Sequence, residues 1–145
     1  MRYFLKLNAV SILYALLVFI PIEMMSNVYR INRLTTIRFE TITILFGVLL
    51  IVEAIGGTIL LLFLIKKWLG DRRANFWTVL LWMPYFFLFV YAFAFLFPIT
   101  YGGDTSNPVT SLLSIIGLIL YPFYILILNL IGITTGDRSS KAARI

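Results

Sequence analysis

Four long apolar runs, separated by short polar breaks, dominate the pattern of this chain. They cover about residues 7–25, 41–65, 76–98 and 109–133. Crossing about 30 Å of hydrocarbon takes roughly 20 apolar residues in a helix, so each run predicts one transmembrane helix. The breaks are Ser26–Glu40, Lys66–Asn75 and Ile99–Pro108, and a polar basic tail runs from Thr134 to Ile145. Asn107-Pro108 predicts the start of the fourth helix, and Gly132 and Gly136 predict its end. Pro84 and Pro122 fall near the middles of helices three and four, where neighbouring helices re-satisfy the carbonyls they free. The expected fold is all-α: a single membrane domain over 1–145, with four transmembrane helices in a compact bundle. No internal repeat is visible, which speaks against an inverted-repeat transporter within one chain.

Composition supports the membrane reading. The 145 residues are 61% hydrophobic and only 12% charged, against roughly 45–50% and about 25% for soluble domains. A chain this short has too much surface to hide that excess in a water-soluble core. The first apolar run follows Arg2 and Lys6, as in a signal peptide, but it ends Phe-Ile-Pro-Ile-Glu-Met-Met. That end has no small-x-small cleavage site, so the run is read as a retained helix.

Charge then orients the helices. With the N-terminus inside, the cytoplasmic segments hold nine Lys and Arg residues: Arg2, Lys6, Lys66, Lys67, Arg72, Arg73, Arg138, Lys141 and Arg144. The outer segments hold three, Arg30, Arg33 and Arg38, and the loop Ile99–Pro108 holds only Asp104. The positive-inside rule therefore places both termini in the cytoplasm, with the Arg30–Arg38 loop as the discordant feature. Trp68, Phe76 and Trp77 at one side and Tyr101 at the other suit the headgroup level. The net charge of +6 is read as topology setting and contact with anionic headgroups, not nucleic-acid binding. Compactness and the absence of a targeting signal point to a multi-pass protein of a cell membrane, the bacterial cytoplasmic membrane in particular.

Cys and His are both absent. That removes thiol chemistry, the usual zinc sites and the commonest general base. No cofactor or metal is expected.

Glu53 is the leading functional residue. It sits at the midpoint of the 25-residue run Thr41–Ile65, and no other charge lies inside an apolar run away from its ends. An acid at that depth costs several kcal/mol, roughly 2.5 to 3.5 on insertion scales for Asp, and is functional by default. Gly56 and Gly57, three and four residues on, share its helix face and predict close packing of another helix. Tyr14, Tyr85 and Tyr121 are candidate hydroxyl partners at similar depth; Ser11, Tyr91, Ser114 and Tyr124 are further ones. No Lys or Arg lies at that level. Burial without a cation favours the neutral acid, so Glu53 is expected to be protonated at pH 7 unless water reaches it.

The stretch Ile51-Val52-Glu53-Ala54-Ile55-Gly56-Gly57-Thr58 resembles the first-helix signature of small multidrug resistance transporters. In that family a membrane-embedded glutamate followed by small residues exchanges protons for cationic drugs. The resemblance covers about eight of the 145 residues and falls in the second helix here. It implies a proton-linked role for Glu53 and assigns no family.

Other residues carry weaker signals. Glu23, two residues after Pro21, reads as an interfacial acid pairing with loop arginines, or as the mouth of a polar pathway. Arg30, Arg33 and Arg38 are candidate contacts for headgroups or an acidic partner. Helix three holds 11 aromatics between Phe76 and Phe97. They spread around the helix, which suits membrane filler better than a cation cage. Lys66-Lys67 and Arg72-Arg73 read as cytoplasmic anchors.

An enzyme is not expected, because paired acids, an activated nucleophile or a metal site are all missing. The expected function is that of an accessory, regulatory or immunity-type subunit. It would work through helix–helix contacts with other membrane proteins, or with itself, in the lipid bilayer. The alternative is an oligomeric proton-coupled transporter or channel using Glu53.

Overall fold

The computed structural model describes residues 1–70 and 72–142, with side chains through residue 134. It is all-helical. The elements are α1 (Arg2–Ser26), α2 (Val28–Leu34), α3 (Phe39–Leu64), α4 (Thr78–Leu96) and α5 (Pro108–Ala142). Four segments are long and apolar enough to cross a membrane: Arg2–Ser26, Phe39–Leu69, Arg73–Leu96 and Pro108–Thr134.

Local chemistry sets the ends. Asn27 closes α1: its amide and its Nδ2 both donate to the Glu23 carbonyl. Asn107 Oδ1 accepts the Val109 amide at 2.9 Å, and Pro108 follows at the first helical position. Asn as the cap with Pro next satisfies one free amide and presets the first turn. At the end of α3 the helix widens into a π turn, Ile65–Leu69, closed by the Gly70 amide on the Ile65 carbonyl at 2.9 Å. Gly70 then takes φ +59, a backbone region that only glycine enters cheaply.

Two boundaries differ from expectation. Ser26–Glu40 is not all loop, because Val28–Leu34 forms the short helix α2. The fourth helix does not stop near Ile133: α5 runs through Gly132 and Gly136 to Ala142. A Cβ on Gly132 would run into the Ile65 side chain, so this glycine serves packing within α5, not termination. Arg138, Lys141 and Arg144 lie outside the residues whose side chains are described.

Side-chain pairings give the helix directions. Tyr3 meets Asn75, Asn8 meets Tyr85, and Phe19 meets Phe89 and Phe93. Both numbers rise together, so α1 and α4 run parallel. Leu17 packs at Gly57 while Pro21 lies beside Leu50, and Thr78 meets Asn129 while Trp82 meets Tyr121. Those numbers move in opposite senses, so α3 and α5 run against α1 and α4. The four long helices therefore alternate in direction along the chain.

α1 is the central helix. A third of its apolar window is buried (33%), against 11% for the spans ending at Leu96 and Thr134. Its Leu7, Val10, Tyr14, Ala15 and Val18 form the core with Leu61, Ile65, Trp82, Phe86, Ile125 and Leu128. The outward faces of the long helices are largely apolar. Ile51, Val52, Ile55 and Ile59 point outward from α3, and Phe87, Tyr91 and Phe95 from α4. The aromatics of α4 thus divide between core and exterior and form no single cage.

Candidate functional site around Glu53

Glu53 stands in the middle of α3, half-buried, at a cleft between α1, α3 and α5. The cleft has a volume of about 290 Å³ and is lined by Leu17, Pro21, Leu50, Ala54, Thr58, Tyr121 and Tyr124 beside Glu53. Most of that lining is apolar. Glu53 Oε1 is shut off from solvent and has no hydrogen-bond partner among the described residues. Buried polar atoms are nearly always paired, so an orphan carboxyl oxygen at mid-helix requires an explanation.

Of the three hydroxyl partners expected first from the sequence, Tyr14, Tyr85 and Tyr121, only Tyr121 lines the cleft. Its hydroxyl, however, donates to the Tyr14 carbonyl at 2.6 Å. Tyr85 donates to Asn8 Oδ1 at 2.6 Å. The Tyr14 hydroxyl is buried and unpartnered, with its ring edge-on to Tyr121 at 6.4 Å. None of the three hydrogen-bonds to Glu53, for a geometric reason: Tyr121 and Tyr85 reach backbone or amide acceptors on α1 first. Ser11 and Ser114 bond back to Leu7 and Thr110 in their own helices, as hydroxyls in helices commonly do. Tyr91 faces outward.

The one cross-helix hydroxyl pair at the cleft is Thr58–Tyr124, at 2.7 Å. Thr58 also donates to the Ala54 carbonyl at 2.6 Å, so the pair is anchored one turn from Glu53. Pro21 adds a further feature. It has no amide hydrogen, so the Leu17 carbonyl four residues earlier loses its ladder donor. The cleft therefore gathers an orphan carboxyl and a fixed hydroxyl pair within apolar walls, beside the proline of α1. Pro21 and Thr58 are both visible in the sequence; what could not be read there is that they converge.

The two glycines separate. A Cβ on Gly57 would come within 2.7 Å of Leu17 Cδ2, so Gly57 is where α1 and α3 approach. Gly56 meets nothing within 4 Å. Its expected packing role is not realised within this chain, because one residue of helical rotation turns it outward.

The second polar centre lies at the other end of the helices. Arg33 of α2 clamps Asp104 with two bonds, Nε to Oδ1 at 2.8 Å and Nη2 to Oδ2 at 2.6 Å. Asp104 is only 2% exposed, while Arg33 is 43% exposed. The guanidinium also sits over the Tyr101 ring at 5.1 Å. Hydrogen bonding to Arg33 holds the Asp104 carboxyl below the usual carboxylate range, and the same contact pushes Arg33 up. Arg30 donates to the Phe97 carbonyl at 2.8 Å. Arg38 makes no side-chain bond among the described residues and is exposed. Glu23 does not pair with these arginines: Asn27 Nδ2 donates to its Oε2 at 3.0 Å. Glu23 and Asn27 line a cavity of about 440 Å³ together with Phe97 and Ser106.

These contacts account for the discordant arginines. Arg33 is neutralised by Asp104, and Arg30 caps the end of α4, so two of the three cations in that loop have structural work. No group of three or more His, Cys, Asp or Glu side chains that could hold a metal occurs among the described residues. No family model matches the chain, and no curated protein or solved structure matches it.

Proposed function

We propose that this is an integral membrane protein whose four spans form a compact bundle with both termini in the cytoplasm. It acts as an accessory, regulatory or immunity-type subunit by holding a helix of another membrane protein. The observation that supports this reading most is the orphan Glu53 in its apolar cleft. A carboxyl group at mid-membrane depth is retained where something compensates for it. The hydroxyls of the described residues do not. A partner helix carrying a hydroxyl, amide or basic side chain at that depth would complete the site, and the outward apolar face of α3 would pack beside it. A bacterial cytoplasmic membrane is the setting we favour.

A photo-crosslinking residue at Ala54, on the cleft wall, tests the partner. The expected result is a covalent adduct with a second membrane protein that disappears in Glu53→Leu. A chain that crosslinks only to itself or to lipid overturns the hetero-partner reading. Because the chain contains no cysteine, single cysteines report the topology cleanly. An impermeant maleimide should label Thr105→Cys from outside intact cells and leave Arg73→Cys unlabelled.

The same orphan carboxyl supports a second reading, a proton-coupled transporter or channel assembled from several copies. Four helices are too few to enclose a sizeable pathway alone. In that case Glu53→Gln abolishes proton-linked flux in reconstituted vesicles; flux that survives the substitution rules it out.

A further inference from the structure

The end of the molecule that carries the chain's N-terminus holds a cavity of a different kind. It has a volume of about 360 Å³ and is bordered by five cations: Arg2 and Lys6 from α1, Lys66 and Lys67 from the π turn, and Arg72 from the segment after it. Small-molecule sites occupy roughly 300–1,000 Å³. No carboxylate borders it among the described residues. Asp71, outside the described residues, is the one acid of the Lys66–Asn75 segment, against four cations there. Such a one-signed field attracts an anion.

The surroundings are built, not loose. Gly70, with φ +59, turns the chain back after the π turn. Asn75 Nδ2 then donates to the Gly70 carbonyl at 2.6 Å, and the Tyr3 hydroxyl donates to Asn75 Oδ1 at 2.8 Å. The Arg72 guanidinium lies over the Tyr3 ring at 4.7 Å. Asn75 itself is fully buried. These bonds tie the turn to α1, so that sequence-distant cations share one cavity.

We propose that this cavity is a binding site for a phosphate ester, filled either by the headgroup of an anionic phospholipid or by a soluble phosphate. Arginine matches a phosphate with a planar fork, and lysine adds point charge. The site goes beyond the Glu53 reading and does not depend on it.

The test uses the full chain purified in neutral detergent. Native mass spectrometry compares retention of phosphatidylglycerol with that of phosphatidylcholine, and calorimetry follows inorganic phosphate and pyrophosphate. Phosphatidylglycerol should be favoured at least about tenfold. Lys67→Gln/Arg72→Gln should weaken it about 30-fold, from two cations lost. Arg38→Gln removes a charge at the start of α3, the opposite end of that helix from Lys66 and Lys67, and should leave binding within about twofold. Arg72→Lys keeps the charge but loses the fork and should cost about threefold. Thermal unfolding by circular dichroism restricts each comparison to folded protein. Competition by the soluble phosphates assigns a free phosphate as sufficient ligand, whereas lipid binding that they do not displace assigns the headgroup. The proposal is overturned if wild type shows no preference for the anionic lipid and binds neither soluble phosphate. It also fails if Arg38→Gln weakens binding as much as Arg72→Gln alone.

Discussion

Asp104 and Glu53 are both carboxyl groups with little access to water, and their surroundings could hardly differ more. Asp104 lies in a polar loop and receives two bonds from one guanidinium. Glu53 lies at the centre of the most apolar helix and receives none among the described residues. A satisfied buried acid is accounted for by the structure that holds it. An unsatisfied one leaves a bonding position that a group from outside the fold can fill. The contrast assigns Asp104 to architecture and directs attention outward from Glu53.

The largest effect should come from breaking the satisfied pair, and it should be asymmetric. Arg33→Gln strands a carboxylate that is 2% exposed, whereas Asp104→Asn leaves a guanidinium that is 43% exposed and free to hydrate. Unpaired buried charge is the expensive state. Thermal unfolding in detergent should therefore fall further for Arg33→Gln than for Asp104→Asn; the reverse order would mean that Asp104 is better solvated than its geometry indicates. The pH dependence has a fixed sign. The folded pKa of Asp104 is lowered, so its contribution is fully present above the unfolded value of about 3.9. It is lost only as pH falls through the lower folded value. Between pH 5 and 8 the clamp should be indifferent to acid, and a loop that loosens near pH 6 would contradict the assignment.

The glycine pair beside Glu53 gives the next largest effect. Gly57→Leu forces bulk against Leu17 and should destabilise by about 1–3 kcal/mol, the usual range for overpacking. Gly56→Leu points into open space and should stay within about 0.5 kcal/mol. Equal effects at the two positions would show that α3 is rotated from the arrangement described. In a cell, by contrast, Gly56→Leu could still weaken capture of a partner helix on that outward face.

How far these features were legible in the sequence follows the physics of each. The four spans were readable because a 20-residue apolar run has few other uses. Glu53 was readable because a lone charge stands out against such a run. Its bonding was not, because rotating a helix by one residue decides whether Gly56 or Gly57 meets α1, and a helix that is apolar on every face offers little periodicity to read. The Arg33–Asp104 clamp joins residues 71 apart, and charge counting alone left Arg33 as an anomaly. The end of α5 was missed because glycine in an apolar helix reads as a stop, whereas Gly132 is there to admit Ile65.

Glu53 itself should show the sharpest departure from Asp104. Removing it deletes no bond seen in the fold, so Glu53→Leu should leave the isolated chain within about 1 kcal/mol of wild type or more stable. Capture of the crosslinked partner should nevertheless be lost. A clearly less stable Glu53→Leu protein would place the carboxyl among the internal supports of the fold, erase the contrast with Asp104 and remove the main support for an outward role.

The smallest effect tests whether the cleft is held open. Thr58 and Tyr124 share a hydroxyl bond of 2.7 Å one turn from Glu53. Hydrogen bonds between membrane helices average about 0.6 kcal/mol in double-mutant cycles and reach about 1.7. Thr58→Val and Tyr124→Phe, singly and together, should therefore couple by about 0.6 kcal/mol in unfolding measurements. Repeating the cycle in Glu53→Leu is the informative step. If the pair fixes the cleft independently of the acid, the coupling is unchanged. A coupling that falls to zero would mean that Glu53 joins the hydroxyls in solution. It would then be a satisfied acid after all, held by α5 as Asp104 is held by α2.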